Sequence, residues 1–115
     1  MFPKEAGILK ELNANDPDDY FPVIRINCTF FFHDHFCLVL ELLHSNLLDE
    51  IQSLAPTTTI DLSRIRKIAA QIISGLSFLH SNDVIHADVK PENILLKLPK
   101  KSEKTRPINK VKLAD

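Results

Sequence analysis

The residues that could do chemistry are concentrated in the segment 84–96, which begins and ends in apolar pairs. Asp88 offers a carboxylate that could act as a base, Lys90 offers a cation, and Asn93 offers a neutral oxygen ligand. His86 lies two residues before the carboxylate. Groups of these types at such short spacing could handle a phosphate and its Mg²⁺, which prefers oxygen ligands. An isolated Asp-x-Lys would be interpreted as a surface ion pair. Whether this segment is a functional site therefore depends on the elements that surround it.

The N-terminal part predicts a short helix and a β-hairpin. Apolar residues at helical spacing predict an amphipathic helix over 3–13. From Ile24 to Phe32 apolar residues recur with a period of two, which predicts a half-buried strand, and 36–40 returns as a second, more apolar strand. The polar tip is predicted at 33–35.

The C-terminal part predicts two helices and two short strands. A short helix is predicted over 46–53 with Asn46 near its cap, and Asp61 is predicted to cap a longer helix. Strands are predicted at 94–98 and 111–113. Gly75 in the long helix costs about 1 kcal/mol against Ala, which suggests a close packing contact there. The long helix carries an apolar stripe that is predicted to be core: Ile65, Ile68, Ala69, Ile72, Ile73, Leu76 and Leu79.

Several hairpin residues allow a functional and a structural interpretation. With a three-residue tip, Cys37 lies opposite Phe31 and cannot bridge to Cys28, which fits a reducing compartment. His33 and His35 could bind a metal, but a polar tip is the favoured interpretation because no ligand cluster accompanies them. Phe30, Phe31 and Phe32 are predicted to be core rather than a stacking platform.

Composition and charge exclude several classes. In a chain of 115 residues, 44% hydrophobic and 25% charged residues are ordinary for one soluble domain, and no apolar run approaches the roughly 20 residues that span a bilayer. Residues 1–96 have a net charge of −6 and residues 97–112 one of +6. The basic run holds prolines and no aromatic residue, which favours a solvated loop over a nucleic-acid surface. We expect an intracellular protein, cytoplasmic or nuclear, without a membrane or nucleic-acid partner.

The order of these elements predicts a fold of the α+β class, and their sequence motifs resemble those of the eukaryotic protein kinases. His86-Ala-Asp-Val-Lys-Pro-Glu-Asn93 resembles the kinase catalytic loop, and Val111-Lys-Leu-Ala-Asp115 resembles the strand that ends at the metal-binding Asp. The segment 36–49 and Lys90-Pro-Glu-Asn-Ile-Leu-Leu96 resemble the CMGC group. Within it, the dual-specificity tyrosine-regulated, homeodomain-interacting and cdc-like kinases are the most similar.

The resemblance implies a Ser/Thr or dual-specificity kinase that uses ATP and Mg²⁺ on a protein substrate. It gives Asp88 the role of base, Lys90 that of neutralising charge on the moving phosphoryl group, and Asn93 and Asp115 that of metal ligands. His86 would be structural.

The resemblance also implies a nucleotide site and a division into two parts. Residues 1–42 would be the remainder of the small lobe, and 43–115 the hinge and the start of the large lobe. Glu5 falls where the family's helix carries an ion-pairing Glu, although a solvated helix explains it as well. The implied site consists of Leu40 as gatekeeper, Glu41 to Leu43 as hinge, Asn46 and Glu92 at the ribose, Leu95 as floor and Ala114 at the back.

Two departures from the family pattern carry expectations of their own. Ala87 stands where the family has an Arg, so we do not expect a phosphorylated activation loop to be ordered through this position. The family's glycine-rich strand, its ATP-orienting Lys and its substrate-binding helices have no counterpart in the 115 residues. We therefore expect a piece of a kinase domain that is inactive alone and that exposes apolar surface of its long helix.

Two other functions remain open. A pseudokinase could keep a nucleotide or protein site without transfer, although the retention of Asp88, Lys90, Asn93 and Asp115 argues against it. A small-molecule phosphotransferase of related fold would share the Asp and the Asn. The segment Lys90-Pro-Glu92 fits the protein kinases better.

Overall fold

The computed structural model describes residues 4–54, 59–97 and 110–114. In chain order the elements are helix α1 (Lys4–Ala14), strands β1 (Ile26–Phe32) and β2 (His35–Leu40), helices α2 (Leu47–Gln52) and α3 (Leu62–Ser81), a 3₁₀ turn (Pro91–Asn93), and strands β3 (Ile94–Leu96) and β4 (Val111–Leu113). The strands form two antiparallel pairs, β1 with β2 and β3 with β4. This arrangement confirms the predicted α+β class.

Strand β4 lies at the centre of the fold. One of its edges pairs with β3, and the other receives the segment 22–24, where Leu113 N–H donates to Pro22 O and Ile24 N–H donates to Leu113 O. The outer edge of β3 is extended in the same way, because Leu96 exchanges backbone hydrogen bonds with His44 and Ser45. Backbone pairing therefore joins segments that are far apart in sequence.

The hydrophobic core lies where α3 meets β3 and β4. Burial of apolar side chains is the main favourable term in folding, about 25 cal/mol per Å² removed from water. Leu96 is fully buried. The buried members of this core come from five separate segments: Leu12, Val23, Ile68, Phe78, Leu79, Ile94, Leu96, Val111 and Leu113.

The close contact predicted at Gly75 is present. A Cβ at this position would lie 2.8 Å from Leu113 Cδ1 and 3.3 Å from Pro22. The missing side chain therefore lets α3 approach β4 and the segment that pairs with it, which offsets the poor helix propensity of glycine.

The two predicted helix caps have different outcomes. Asn46 caps α2 as predicted, since its Oδ1 accepts from Asp49 N–H at 2.9 Å. Asp61 occupies the N-cap position of α3, but its side chain makes no capping hydrogen bond. The prediction therefore placed Asp61 correctly at the start of α3, but the expected capping hydrogen bond of its side chain is not formed.

The predicted register of the hairpin was wrong by one residue. The tip is a two-residue turn, His33-Asp34, with both φ angles positive (47° and 63°), as the favoured tight hairpin turns require. Cys37 is therefore opposite Phe30 rather than Phe31. Both cysteines are free thiols, as expected.

The predicted burial of the three phenylalanines was also wrong. Phe30, Phe31 and Phe32 are 47%, 58% and 61% exposed. The pairing of β1 with β2 is irregular between Ile26 and Cys28, which interrupts the period of two. The hairpin also packs little against the core in the described chain, so alternation alone did not identify a buried face.

The apolar stripe of α3 is buried along only part of its width. Ile68 and Leu79 are buried, but Ile65 and Ile73 are 46% and 66% exposed and Ala69 is also exposed. Among the described residues, β4 and the segment 21–23 cover one sector of the helix. The prediction that the whole stripe is core was therefore wrong, whereas the expectation of exposed apolar surface was right.

Other predicted features fall partly outside the described residues. Strand β3 ends at Leu96, before the predicted end at 98. Most of the basic loop lies in 98–109, which the structure does not describe. No helix in the described ranges is long and apolar enough to cross a bilayer.

Candidate active site

We call residues 84–96 the catalytic segment, after the role that the resemblance to protein kinases implies. The end of α3 and a proline turn position it. Asp83, at a positive φ of 61°, reverses the chain after Asn82 caps the helix. The segment continues without regular secondary structure to Lys90, whose φ of −157° is in the range favoured before a proline. Pro91 begins the 3₁₀ turn that places Asn93 next to the preceding segment.

Lys90 and Asn93 both contact the carboxylate of Asp88. Lys90 Nζ lies 3.3 Å from Asp88 Oδ2, and Asn93 Nδ2 donates to the same oxygen at 3.2 Å and to Asp88 O at 3.0 Å. The carboxylate is about half exposed. In these contacts the amide nitrogen of Asn93 is used, and its amide oxygen remains as the potential metal ligand.

His86 connects this segment to the residue after β4. Asp88 N–H donates to His86 Nδ1 at 3.2 Å, so the ring proton is on Nε2, which donates to Ala114 O at 2.8 Å. Ala114 N–H in turn donates to Asn93 O at 2.9 Å. The backbone of Ala114 thus fixes both ends of the catalytic segment, and the histidine is hydrogen-bonded within the loop, as expected.

Ala87 has a positive φ of 66°, a conformation that costs an alanine roughly 1–2 kcal/mol. This conformation turns the backbone so that Asp88 N–H can reach the ring of His86. The strain is therefore located directly beside the candidate base.

Replacing Ala87 with Gly is expected to stabilise the protein by about 1 kcal/mol, because glycine adopts positive φ without a clash. The change in the free energy of unfolding is measured by urea denaturation at constant pH. The matched control is Ala69→Gly in α3, where the same substitution should destabilise by about 1 kcal/mol because the backbone is helical. Equal destabilisation by both variants would contradict a strained Ala87.

A cavity of about 520 Å³ lies between α1, the hairpin and the catalytic segment. Three of the predicted nucleotide-site residues line it, namely Leu40, Leu95 and Ala114, together with Glu5. Most of its other lining side chains are aliphatic. The cavity is thus an apolar space next to the polar catalytic segment, which is the usual composition of a small-molecule site.

The remaining predicted nucleotide residues lie outside the lining of this cavity. Glu41 N–H pairs with Arg25 O at 2.9 Å, at the end of the hairpin. Leu43 is half-buried. Asn46 forms an isolated bridge with Leu95, and the helix that it caps contacts the 3₁₀ turn that contains Glu92. Asn46 and Glu92, the two residues predicted to contact the ribose, therefore lie on neighbouring elements.

The sequence pointed to two places where a metal could bind, Asp115 and the pair His33 and His35. Asp115 lies outside the described residues, although Ala114 before it contacts the catalytic segment. Within the described ranges no group of three His, Cys, Asp or Glu could hold a metal ion. His33 lies in the hairpin turn, and His35 begins β2.

Sequence reasoning missed Lys112. This side chain is only 5% exposed and contacts two carboxylates, those of Asp19 and Glu41. A lysine between apolar residues of a short strand is the available signal, but it does not indicate which acids will pair with it, since they lie 93 and 71 residues away.

The chain matches the family model of the protein kinase domain over residues 2–115. It is similar to the probable serine/threonine-protein kinase dyrk2 of Dictyostelium discoideum, with 42% identity over 98 residues, which are 85% of this chain and 11% of that protein. It is also similar to the dual specificity protein kinase CLK1 of Homo sapiens, with 41% identity over 91 residues, 79% of this chain and 19% of that one. The serine/threonine-protein kinase ppk5 of Schizosaccharomyces pombe is 42% identical over 98 residues, 85% of this chain and 12% of that one. The chain thus spans less than a fifth of the length of these relatives.

Proposed function

This chain belongs to the protein kinase family, and we propose on that premise that it carries the catalytic loop and part of the nucleotide site of a Ser/Thr or dual-specificity kinase of the CMGC group. The reaction would be transfer of the γ-phosphoryl group of ATP to a hydroxyl group of a protein. The relatives are named as kinases of these two specificities.

The observation that carries the proposal is the contact of Lys90 and Asn93 with one carboxylate oxygen of Asp88. Phosphoryl transfer has a loose transition state, so that positioning and charge stabilisation supply most of the acceleration. A base, a cation and an amide held within hydrogen-bond distance supply both.

Asp88 would act as the base. Among the described residues both side-chain contacts to its carboxylate use Oδ2, which leaves Oδ1 to accept the proton of the attacking hydroxyl. The new bond joins that hydroxyl oxygen to the γ-phosphorus, and the bond from this phosphorus to the oxygen that bridges it to the β-phosphate breaks. Lys90 would offset negative charge on the group in transit.

Asn93 and Asp115 would hold Mg²⁺. Their amide and carboxylate oxygens are ligands that suit this ion, and the hydrogen bonds of Asn93 Nδ2 to Asp88 point its Oδ1 away from the base. Ala114, which precedes Asp115 in sequence, donates its N–H to Asn93 O at 2.9 Å. When bound by these two residues, the ion would offset negative charge on the phosphates of ATP.

The nucleotide would lie between the two parts of the chain, 1–42 as small lobe and 43–115 as hinge and start of the large lobe. Leu40, Leu95 and Ala114 would contact the adenine ring, as their place in the cavity supports. The backbone of 41–43 would bind the adenine edge, and Asn46 with Glu92 would contact the ribose.

The test uses the intact protein, expressed with any sequence that its gene adds at either end. It is incubated with Mg²⁺, γ-labelled ATP and either a mixed protein acceptor or a mixture of small alcohols, and the labelled amino acids or alcohols are separated. We expect label on Ser and Thr, with additional label on Tyr if the specificity is dual. Nucleotide binding without transfer would indicate a pseudokinase, and label on small alcohols alone would indicate the related phosphotransferases.

A further inference from the structure

Lys112 is a buried cation with two carboxylate partners. Its Nζ lies 2.8 and 2.9 Å from the two carboxylate oxygens of Asp19 and 2.6 Å from Glu41 Oε1. The exposed fraction of its side chain is 5%, against 33% for Asp19 and 19% for Glu41. The hydrogen-bonding capacity of the ammonium group is thus directed at these two acids.

Stability alone does not account for this cluster. Removing a charge from water costs several kcal/mol per ion, and apolar residues of similar volume often replace buried ion pairs without loss of stability. Breaking such a cluster by removing one partner is costly, because the other charges stay buried. A cluster of this kind is better suited to fixing a particular geometry.

The geometry that it fixes involves the proposed hinge. Glu41 Oε1 accepts from Arg25 N–H at 2.9 Å as well as from Lys112, and Glu41 N–H donates to Arg25 O. Lys112 itself is two residues before Ala114, which holds His86 and Asn93. A single ammonium group thus connects the segment that would bind adenine to the strand that positions the catalytic segment.

Asp19, the other carboxylate that contacts Lys112, lies in a loop that internal hydrogen bonds hold in shape. Asp19 has a positive φ of 54°, which aspartate tolerates better than most residues. The buried Asp16 shapes this loop, since its carboxylate accepts from Tyr20 N–H and Phe21 N–H at 2.9 Å each. The Asp19 carboxylate is therefore preorganised to meet Lys112.

We propose that Lys112 is a positioning residue for the nucleotide, which acts by holding Glu41 and the hinge backbone at a fixed place relative to β4. The inference rests on the proposed function. Breaking the contact between Lys112 and Glu41, whichever of the two residues is changed, would release the hinge backbone from its place beside β4. Nucleotide binding then weakens, while the transfer step at Asp88 is retained once the nucleotide is bound.

The test measures the Kd of Mg-ATP and of adenosine, and the KM for ATP and kcat, in the intact protein. Lys112→Met and Glu41→Gln are each expected to raise both Kd values and the KM about tenfold, with kcat changed by less than about twofold. The double variant should resemble the single variants, because the same interaction is already broken in each. Adenosine has no phosphates, so its response assigns the effect to the hinge.

The matched control is Arg64→Met. This substitution breaks an ion pair of comparable burial, Arg64 to Glu50 at 2.9 Å, which joins α3 to α2 and involves no residue of the proposed hinge. It should lower thermal stability and leave the KM for ATP unchanged. An equal rise in KM in this control would overturn the proposal by showing general loosening.

Further outcomes distinguish a failure of the positioning role of Lys112 from a failure of the proposed function. Unchanged nucleotide affinity in folded Lys112→Met and Glu41→Gln, or additive effects in the double variant, would overturn the positioning role while leaving the proposed function intact. If Lys112→Met does not fold, the nearly isosteric Glu41→Gln carries the test. A wild-type protein that binds no nucleotide would instead contradict the proposed function itself.

Discussion

Replacing Asp88 with Asn is expected to lower kcat for phosphoryl transfer by about 10²–10⁴-fold, which is the usual contribution of a positioned general base. The amide has the shape of the carboxylate and can still accept from Asn93 and Lys90, so the segment should keep its fold. It cannot take up the proton of the hydroxyl. Label transfer from γ-labelled ATP measures the rate, and nucleotide binding should change little.

The control for Asp88 is Asp83→Asn. Asp83 is also exposed and lies five residues earlier, at a positive φ of 61° that asparagine tolerates well. Its substitution removes the same charge next to the same segment and should leave kcat unchanged. Retained activity in Asp88→Asn, or an equal loss in Asp83→Asn, would exclude Asp88 as the base.

Replacing Asn93 with Ala is expected to lower activity at least about 10–100-fold, the range seen when even an outer partner of a metal ligand is lost. Two functions disappear together: an oxygen that suits Mg²⁺, and the hydrogen bonds that orient Asp88. Part of the loss should be recovered at high Mg²⁺ concentration. Activity as a function of Mg²⁺ concentration measures both effects.

Asn93→Asp separates the two functions. The carboxylate still offers an oxygen to the metal, but it cannot donate to Asp88 and it places a like charge beside it. Half-saturation by Mg²⁺ should therefore be retained or improved, whereas kcat stays low. Asn27→Ala, at an exposed position of β1, is the control that should behave like the wild type. A Mg²⁺ requirement that is unchanged in Asn93→Ala would contradict the role as ligand.

Local elements of the fold were predicted well because local interactions specify them. Asn46 caps α2 through its own side chain, and α3 follows from apolar residues at helical spacing between Asp61 and Asn82. The hairpin was identified by alternation, but its register depends on the length of the turn, which His33-Asp34-His35 leaves open by one residue. A shift of one residue changed the partner of Cys37.

Burial was predicted less well because it depends on what covers each surface. Periodicity states that a strand or helix has an apolar face, but not which part of that face another element will contact. The exposed Ile73 and the buried Phe78, which lies outside the predicted stripe, follow from the position of β4 against one side of α3. Phe31 is exposed because the hairpin packs little against the core of the described chain.

The sequence by itself determined the family and the cluster of Asp88, Lys90 and Asn93, because three residues within six positions of one turn are brought together by the backbone that connects them. Only the tertiary structure decided that Ala114 holds this segment from both ends, and that Lys112 connects Asp19 to Glu41. Those contacts join residues up to 93 positions apart. Spacing along the chain carries no information about them, since they depend on how α3 and the two sheets pack and bury the lysine.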